Sequence, residues 1–400
     1  MSDAAPTPTP LPATQTSFAV YAGPPLDSIK TMVASEFQVK DAFLDPYGIP
    51  TVQVTREPAK EKFKLLLKQL GHHGLIAVIR GSRGSSETLT IKMFQKQTRQ
   101  PPRRMINLVL FAATILTVFI AGYLLWQAQL DQGFIRAIEP NSNIYLEATA
   151  FLVGLIAIIG LHEFGHKAAA RHHKMDATLP YFVPGPPPIG TFGAVISLRS
   201  PPANRDQLFD LGLSGPLVGF AVTIVVIVLS VVFGVYLSPA QVQQAQQNGA
   251  TNTDWSTWPF QQPALAIIVS SLATSLRHGT GGGLLFDPQL SFAAQIGALL
   301  TFLNLVPMWQ LDGGHISRSV FGEGGHRTAT VIGLFILIAA RYYPFAFLVL
   351  AFMLSSRRGF AGVEPLDDVS PVSNSRKLLY LLGLVMLLLT FVVAPPFLNG

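Results

Sequence analysis

Long apolar runs constrain this chain more than any other feature. Met105 to Trp126 carries no charged residue, and Ile144 to Gly165 and Leu208 to Leu237 are nearly as bare. About 20 apolar residues in helical form cross the hydrocarbon core of a bilayer. In lipid the backbone must satisfy its own polar groups, so each run is predicted to be helical. Composition agrees: charged residues make up 12% of the chain and mean hydropathy is +0.41, against about 25% charged in average soluble chains.

Basic residues set the expected topology. Lys96, Arg99, Arg103 and Arg104 precede the first run, which places everything before them on the cytoplasmic side. The second run returns and ends in Lys167, Arg171 and Lys174. The third crosses outward to a Gln-, Asn- and Thr-rich loop, Ser238 to Pro259, whose one charge is Asp254. Ala264 to Leu276 is too short to span and reads as an interfacial or re-entrant segment. Phe292 to Val306 is a further membrane segment, and Leu378 to Val393 the last span. Thr328 to Leu354 is either one long helix or a short pair broken at Arg341-Tyr342-Tyr343-Pro344. The pair is preferred, because it returns Arg357 and Arg358 to the inner side. The expected fold is thus an α-helical polytopic membrane protein of about six transmembrane helices. The net charge of +6 reads as topology and lipid-bilayer contact. No basic run interleaved with aromatics points to nucleic acid, and nothing marks an oligomeric state.

The N-terminal part differs. Residues 1–25 are rich in Pro, Thr and Ala and read as a disordered tail. They show neither a secretory nor an Arg-rich transit pattern, which favours a prokaryotic cytoplasmic membrane over an organelle. Residues 26–100 read as a small soluble α+β domain. Lys60 to Leu70 places Phe63, Leu66, Leu67 and Leu70 on one helical face. Thr51 to Thr55, Leu75 to Ile79 and Leu89 to Phe94 read as strands. His72 and His73 read as the polar end of that helix. Residues 101–400 form the membrane part, with a core at about 145–320.

The second run ends in His162-Glu163-Phe164-Gly165-His166. Positions i and i+4 of a helix share a face about one turn apart, so two imidazoles there can ligate one Zn²⁺. Glu163, beside the first of them, is placed to act as general base toward an attacking water. Ionisable residues on a membrane helix are costly and mark function. With no cysteine in the chain, the third ligand a catalytic zinc needs must come from His, Asp, Glu or the backbone. The best candidate is Asp312, at the inner end of another apolar segment and so at matching depth. His172, His173, His278 and His315 compete. His172 and His173 read as a solvated inner face, and His315 as a residue behind the ligands.

Pro184 and Pro186 to Pro188 forbid helix between Met175 and Asp210. Gly190 to Leu198 reads as a strand with Gly190 and Gly193 at a close approach, part of a re-entrant β-hairpin-like segment. Irregular backbone at membrane depth must be shielded by protein or line a wet cavity. Either this is an interfacial loop, or its edge, with Gly193, captures an unwound substrate by strand addition. The small residues of Leu213-Ser214-Gly215-Pro216-Leu217-Val218-Gly219 read as close helix packing.

HEFGH at 162, GTFGAVISL at 190, SGP at 214 and NLVPMWQLDGGH at 304 together resemble the site-2 protease family of intramembrane metalloproteases. They follow the family's order and are most similar to the branch found in bacteria, archaea and plastids. The resemblance implies that His162, His166 and Asp312 bind zinc and that Glu163 is the catalytic base. It implies transmembrane proteins as substrates, cut within or near the bilayer, and that Asn304 contacts substrate or the developing oxyanion. No motif marks a PDZ domain inserted among the spans, and the 238–260 loop is too short for one.

Three other readings remain beside it. A zinc protease with its site in a soluble compartment would take a Glu as third ligand, but only Glu323 and Glu364 follow the motif. A divalent-metal transporter would need ligands along a path through several spans, whereas the polar groups here cluster at one depth. An inactive protease-like scaffold would lack part of the set that His162, Glu163, His166 and Asp312 complete.

Overall fold

The computed structural model describes residues 23–82, 86–96, 104–131, 142–237, 240, 243, 263–276, 283–285, 287–356 and 359–393. The tail through residue 22, Arg99, Arg103, His278, Arg357, Arg358 and nearly all of the Ser238 to Pro259 loop lie outside these residues. The chain divides into two units, Met1–Thr98 and Arg99–Gly400.

In the first unit the order is α1 (Leu26–Ala34), β1 (Val39–Leu44), β2 (Pro50–Thr55), α2 (Lys60–His72), β3 (Leu75–Gly81) and β4 (Thr88–Gln95). The strands form an antiparallel sheet in the order β1-β2-β4-β3. Ile29 and Val33 of α1 are buried, as are Phe63, Leu66 and Leu70 of α2. Leu67, on the same predicted face, is only partly buried. The strand β1 escapes a period-two reading because its burial does not alternate. Asp45 closes the β1–β2 turn. Its carboxylate accepts the Tyr47 and Ile49 amides at 2.9 Å each and meets Lys92 Nζ at 2.8 Å. Burial would raise its pKa, but Lys92 and the two amides outweigh that and hold it below the usual carboxylate value. The stability this contact lends is present at neutral pH and is lost as acid protonates Asp45.

The second unit is mostly helical. Among the described residues three helices are long and apolar enough to cross a membrane: Met105–Leu130 within α3 (Arg104–Asp131), α4 (Ile144–His172) and α5 (Arg205–Val232). The remaining helices are α6 (Ala264–Leu276), α7 (Pro288–Leu305), α8 (Asp312–Ala339), α9 (Tyr343–Ser355) and α10 (Asn374–Leu389). None of these meets both the length and the hydropathy of a span, so three spans rather than six stand out by these measures. The stretch from Thr328 to Leu354 is broken as preferred. The helix α8 ends at Ala339, Arg341 takes φ 66, and Pro344 falls in the first turn of α9.

Helices α3, α4, α5 and α7 share one core through Val118, Phe151, Leu155, Ile158, Val226 and Phe292. The Phe151 and Phe292 rings stack with centroids 5.7 Å apart. Strands β5 (Tyr181–Pro184) and β6 (Thr191–Val195) form an antiparallel hairpin, shorter than the predicted Gly190 to Leu198. Gly190 does make a close approach. A Cβ there would lie 2.6 Å from the Thr117 carbonyl of α3, and Thr117 Oγ1 donates to the Gly190 carbonyl at 2.7 Å. Gly193 does not: nothing lies within 4 Å of its Cβ position, and its φ of 102 is what calls for glycine.

A buried ion pair ties α5 and α8 to the segment after α9. Arg318 of α8, 1% exposed, grips Asp368 with both terminal nitrogens, at 3.0 and 2.6 Å. Arg205, the first residue of α5, donates from Nε to the same carboxylate at 3.0 Å. Removing one partner of a buried pair strands the other charge, at a cost of about 3–5 kcal/mol. Asp368→Ala is expected to lower the thermal unfolding midpoint of the detergent-solubilised chain sharply, whereas Asp176→Ala, whose partner Arg199 sits 3.5 Å from an exposed carboxylate, is expected to leave it within the surface-pair range of about 1 kcal/mol.

Candidate metal centre

The two histidines of HEFGH emerge on one face of α4, with ring centroids 4.9 Å apart and Nε2 atoms 3.1 Å apart. Asp312, the first residue of α8, sends Oδ2 to 3.3 Å from each of these nitrogens. All three donor atoms lie within 4.8 Å of one another. His162 and His166 are buried, and the Asp312 side chain is 15% exposed.

The proton positions fit a cation. His166 Nδ1 lies 2.8 Å from the Leu211 carbonyl. A carbonyl only accepts, so Nδ1 carries the proton and the Nε2 lone pair faces the other donors. Two imidazole nitrogens and a carboxylate oxygen at such separations repel unless a cation or a proton lies between them. Tetrahedral zinc with bonds of about 2.0–2.2 Å has ligand–ligand edges of about 3.3–3.6 Å. The two separations of 3.3 Å to Asp312 match that figure, and the 3.1 Å between the imidazoles lies just below it. The set of two His and one Asp leaves a fourth position open, as in catalytic rather than structural zinc sites.

The close approach of α5 makes room for the rings. A Cβ at Gly215 would collide with the His166 imidazole, and one at Gly219 would lie 2.9 Å from His162 Nδ1. Sequence reasoning assigned this stretch to helix packing and missed that the packed object is the imidazole pair. The available signal was the spacing of Gly212, Gly215 and Gly219 along one helix face.

Beside the three donors lies a cavity of about 400 Å³ lined in part by Glu163, Phe192, Gly193, Asn304, Gln310 and His315. Glu163 is 7% exposed. Asn304, near the end of α7, places Nδ2 3.4 Å from His162 Nε2. The β6 strand forms one wall, with Phe192 75% exposed. His315 lines the cavity but its Nδ1 is buried with no hydrogen-bond partner. Gln310 was not anticipated. His172 is exposed as expected, but His173 is not a solvated residue. Its Nε2 lies 2.8 Å from Asp210, which also receives Arg376 of α10 at 2.5 Å, so the end of α4 is tied to α5 and α10.

Residues 150–340 match Peptidase family M50. The chain is similar to that family over this stretch. It is 27% identical over 312 residues to a protein of Oryza sativa subsp. indica named probable zinc metalloprotease EGY2, chloroplastic, across 76% of this chain and 52% of that one. Against the probable zinc metalloprotease EGY1 of Arabidopsis thaliana the identity is 26%, across 64% and 45%. Against the probable zinc metallopeptidase EGY3 of the same plant it is 24%, across 67% and 46%. The chain spans about half the length of these curated relatives. No solved structure matches it. The M50 match agrees with the site-2 protease resemblance of the motifs. The expected prokaryotic cytoplasmic membrane finds no support, since the relatives are named chloroplastic; an N-terminus that merely lacks a recognisable leader is weak evidence about compartment.

Gly215→Ala is expected to push the His166 ring out of the donor triangle and to lower zinc content per chain by mass spectrometry severalfold, while Gly324→Ala, which has open space and no positive φ, leaves zinc content unchanged.

Proposed function

We propose that this chain is a zinc-dependent endopeptidase that cuts membrane-spanning proteins within or near the bilayer. The carrying observation is the convergence of His162, His166 and Asp312 beside Glu163, in a cavity at the end of a helix long and apolar enough to span a membrane. The M50 match and the relatives' names support the same reading.

In this reading His162 and His166 hold zinc through Nε2 and Asp312 through its carboxylate. Bound there, zinc supplies Lewis-acid polarisation of the scissile carbonyl and of the attacking water. Glu163 takes the proton from that water and passes it to the leaving amine, so one carboxyl serves both halves of the hydrolysis. The Asn304 amide is placed to donate to the oxygen that gains charge as water adds. The substrate must be unwound first, because a helix hides its peptide bonds. Strand β6, with Phe192 and Gly193 at the cavity, offers an edge on which an extended segment can pair.

The remaining apolar helices complete a polytopic fold of about six spans. The basic residues before α3 place the N-terminal unit on the cytoplasmic or equivalent side. The relatives' names favour a plastid-type membrane over a prokaryotic one. A divalent-metal transporter is disfavoured because the described carboxylates and histidines do not line a path through the spans.

Glu163→Gln is expected to keep zinc and abolish cleavage of a model transmembrane substrate in detergent. Cleavage at the native rate by a zinc-loaded Glu163→Gln chain would overturn the mechanism. Asp312→Ala is expected to lose zinc, and full occupancy in that variant would remove Asp312 from the ligand set.

A further inference from the structure

Asp312 is the one donor that shares no helix with the other two, so its position needs a separate cause. It follows an irregular stretch between α7 and α8, where Trp309 takes φ 46, a left-handed conformation uncommon for a bulky residue. Such a conformation persists only where its surroundings determine it. The Trp309 backbone N–H donates to Thr330 Oγ1 at 3.2 Å, and its indole stacks on Phe352 with centroids 6.3 Å apart.

Thr330 lies in the second half of α8. One turn before it, His326 presents Nε2 at 3.5 Å from Thr330 Oγ1 and Nδ1 at 2.8 Å from Ser317 Oγ. Ser317, in the first half of α8, donates to the Gly314 carbonyl at 3.0 Å. The contacts therefore run Trp309, Thr330, His326, Ser317, Gly314, and bracket Asp312 on both sides. Ser317, His326 and Thr330 are all 0% exposed, so water does not compete for these bonds. Ser317 has one proton. With that proton on Gly314, His326 Nδ1 is the donor to Ser317 and Nε2 is free to accept from Thr330.

A straight helix could not make this chain of bonds. At about 100° and 1.5 Å per residue, positions 317 and 326 would lie on opposite faces, about 13.5 Å apart along the axis. The break at Gly322, with φ 70 and ψ −168, turns the second half of α8 back over the first. None of these residues lines the catalytic cavity, so the network lies outside the site described above.

We propose that His326 is a positioning residue for the metal centre. Through Ser317 and Thr330 it holds the turn from Trp309 to Gly314 so that Asp312 Oδ2 meets both imidazoles. The inference rests on the proposed function only in taking Asp312 as a zinc ligand. A histidine that merely fills space in the core would contribute through packing, without a required donor.

The test is the zinc dissociation constant of the purified full chain in detergent, measured by competition with a chromogenic chelator, with helical circular dichroism as the folding control. Four variants are compared with the native chain: His326→Leu, His326→Asn, Ser317→Ala and the His326→Leu/Ser317→Ala double. Outer-shell partners are typically worth about 10–100-fold in metal affinity, and a loss in that range is expected for His326→Leu and for Ser317→Ala. His326→Asn keeps an N–H near the position of Nδ1–H but no acceptor for Thr330, and is expected to bind zinc more tightly than His326→Leu. The double variant is expected to be no weaker than its weaker single, because both changes break one chain of bonds. Ser317→Ala is small enough to report if His326→Leu does not fold. Near-native zinc binding by Ser317→Ala, or by a folded His326→Leu, overturns the proposal. So does His326→Asn as weak as His326→Leu, or additive losses in the double. A native chain that binds no zinc overturns both this inference and the proposed function, whereas one that binds zinc but cuts no substrate overturns the proposed function alone.

Discussion

Everything in the helical unit answers to one electrostatic constraint: two imidazoles and a carboxylate held about 3 Å apart inside a bundle of apolar helices. In a low-dielectric interior, lone pairs at that distance repel strongly unless a cation lies among them. The arrangement therefore suits a metal and needs a frame stiff enough to hold the donors in position. Helix α4 provides two donors at fixed spacing. The glycines of α5 let that helix close over the rings without displacing them. The carboxylate comes from α8, through a turn that regular secondary structure cannot hold by itself.

The frame is stiffest where the donors are least local. Arg318 and Arg205 converge on Asp368 and bind α5, α8 and the segment after α9. His173, Asp210 and Arg376 bind α4, α5 and α10. Both networks pair charges buried or half-buried between helices, so each charge depends on its partner. On the far side of the cavity the β5–β6 hairpin seats on α3 through Gly190 and Thr117, which leaves β6 facing the cavity. The strand backbone is thus shielded by a helix on one side and open to the cavity on the other.

Much of this was legible in the chain itself. Helical periodicity forces His162 and His166 onto one face, so their pairing follows from a spacing of four. Apolar length makes α3, α4 and α5 long enough to span a membrane, and the break at Arg341 before Pro344 stops α8 from continuing into α9. The legible features are all local: they depend on the neighbours a residue has along the chain. Strand β1 was not legible because its sides are unequally covered and no alternation marks it. His173 was misjudged because its partner Asp210 lies on another helix. Gly193 was misjudged because a positive φ and a tight contact leave the same trace in a sequence.

By itself, the sequence determined that the chain carries helices long and apolar enough to cross a membrane, that two imidazoles must share a helix face beside a carboxylate, and that an extended stretch rich in Pro and Gly interrupts the helices. Only the tertiary structure decided that Asp312 completes the donor set, that Gly215 and Gly219 exist to admit the imidazoles, and that α8 folds back at Gly322 to bring His326 onto Ser317. The physical reason is range. Spacing along a helix is set by backbone geometry over a single turn, whereas the meeting of residues 142 to 150 positions apart, such as His162 with Asn304 and Asp312, is set by how whole helices pack.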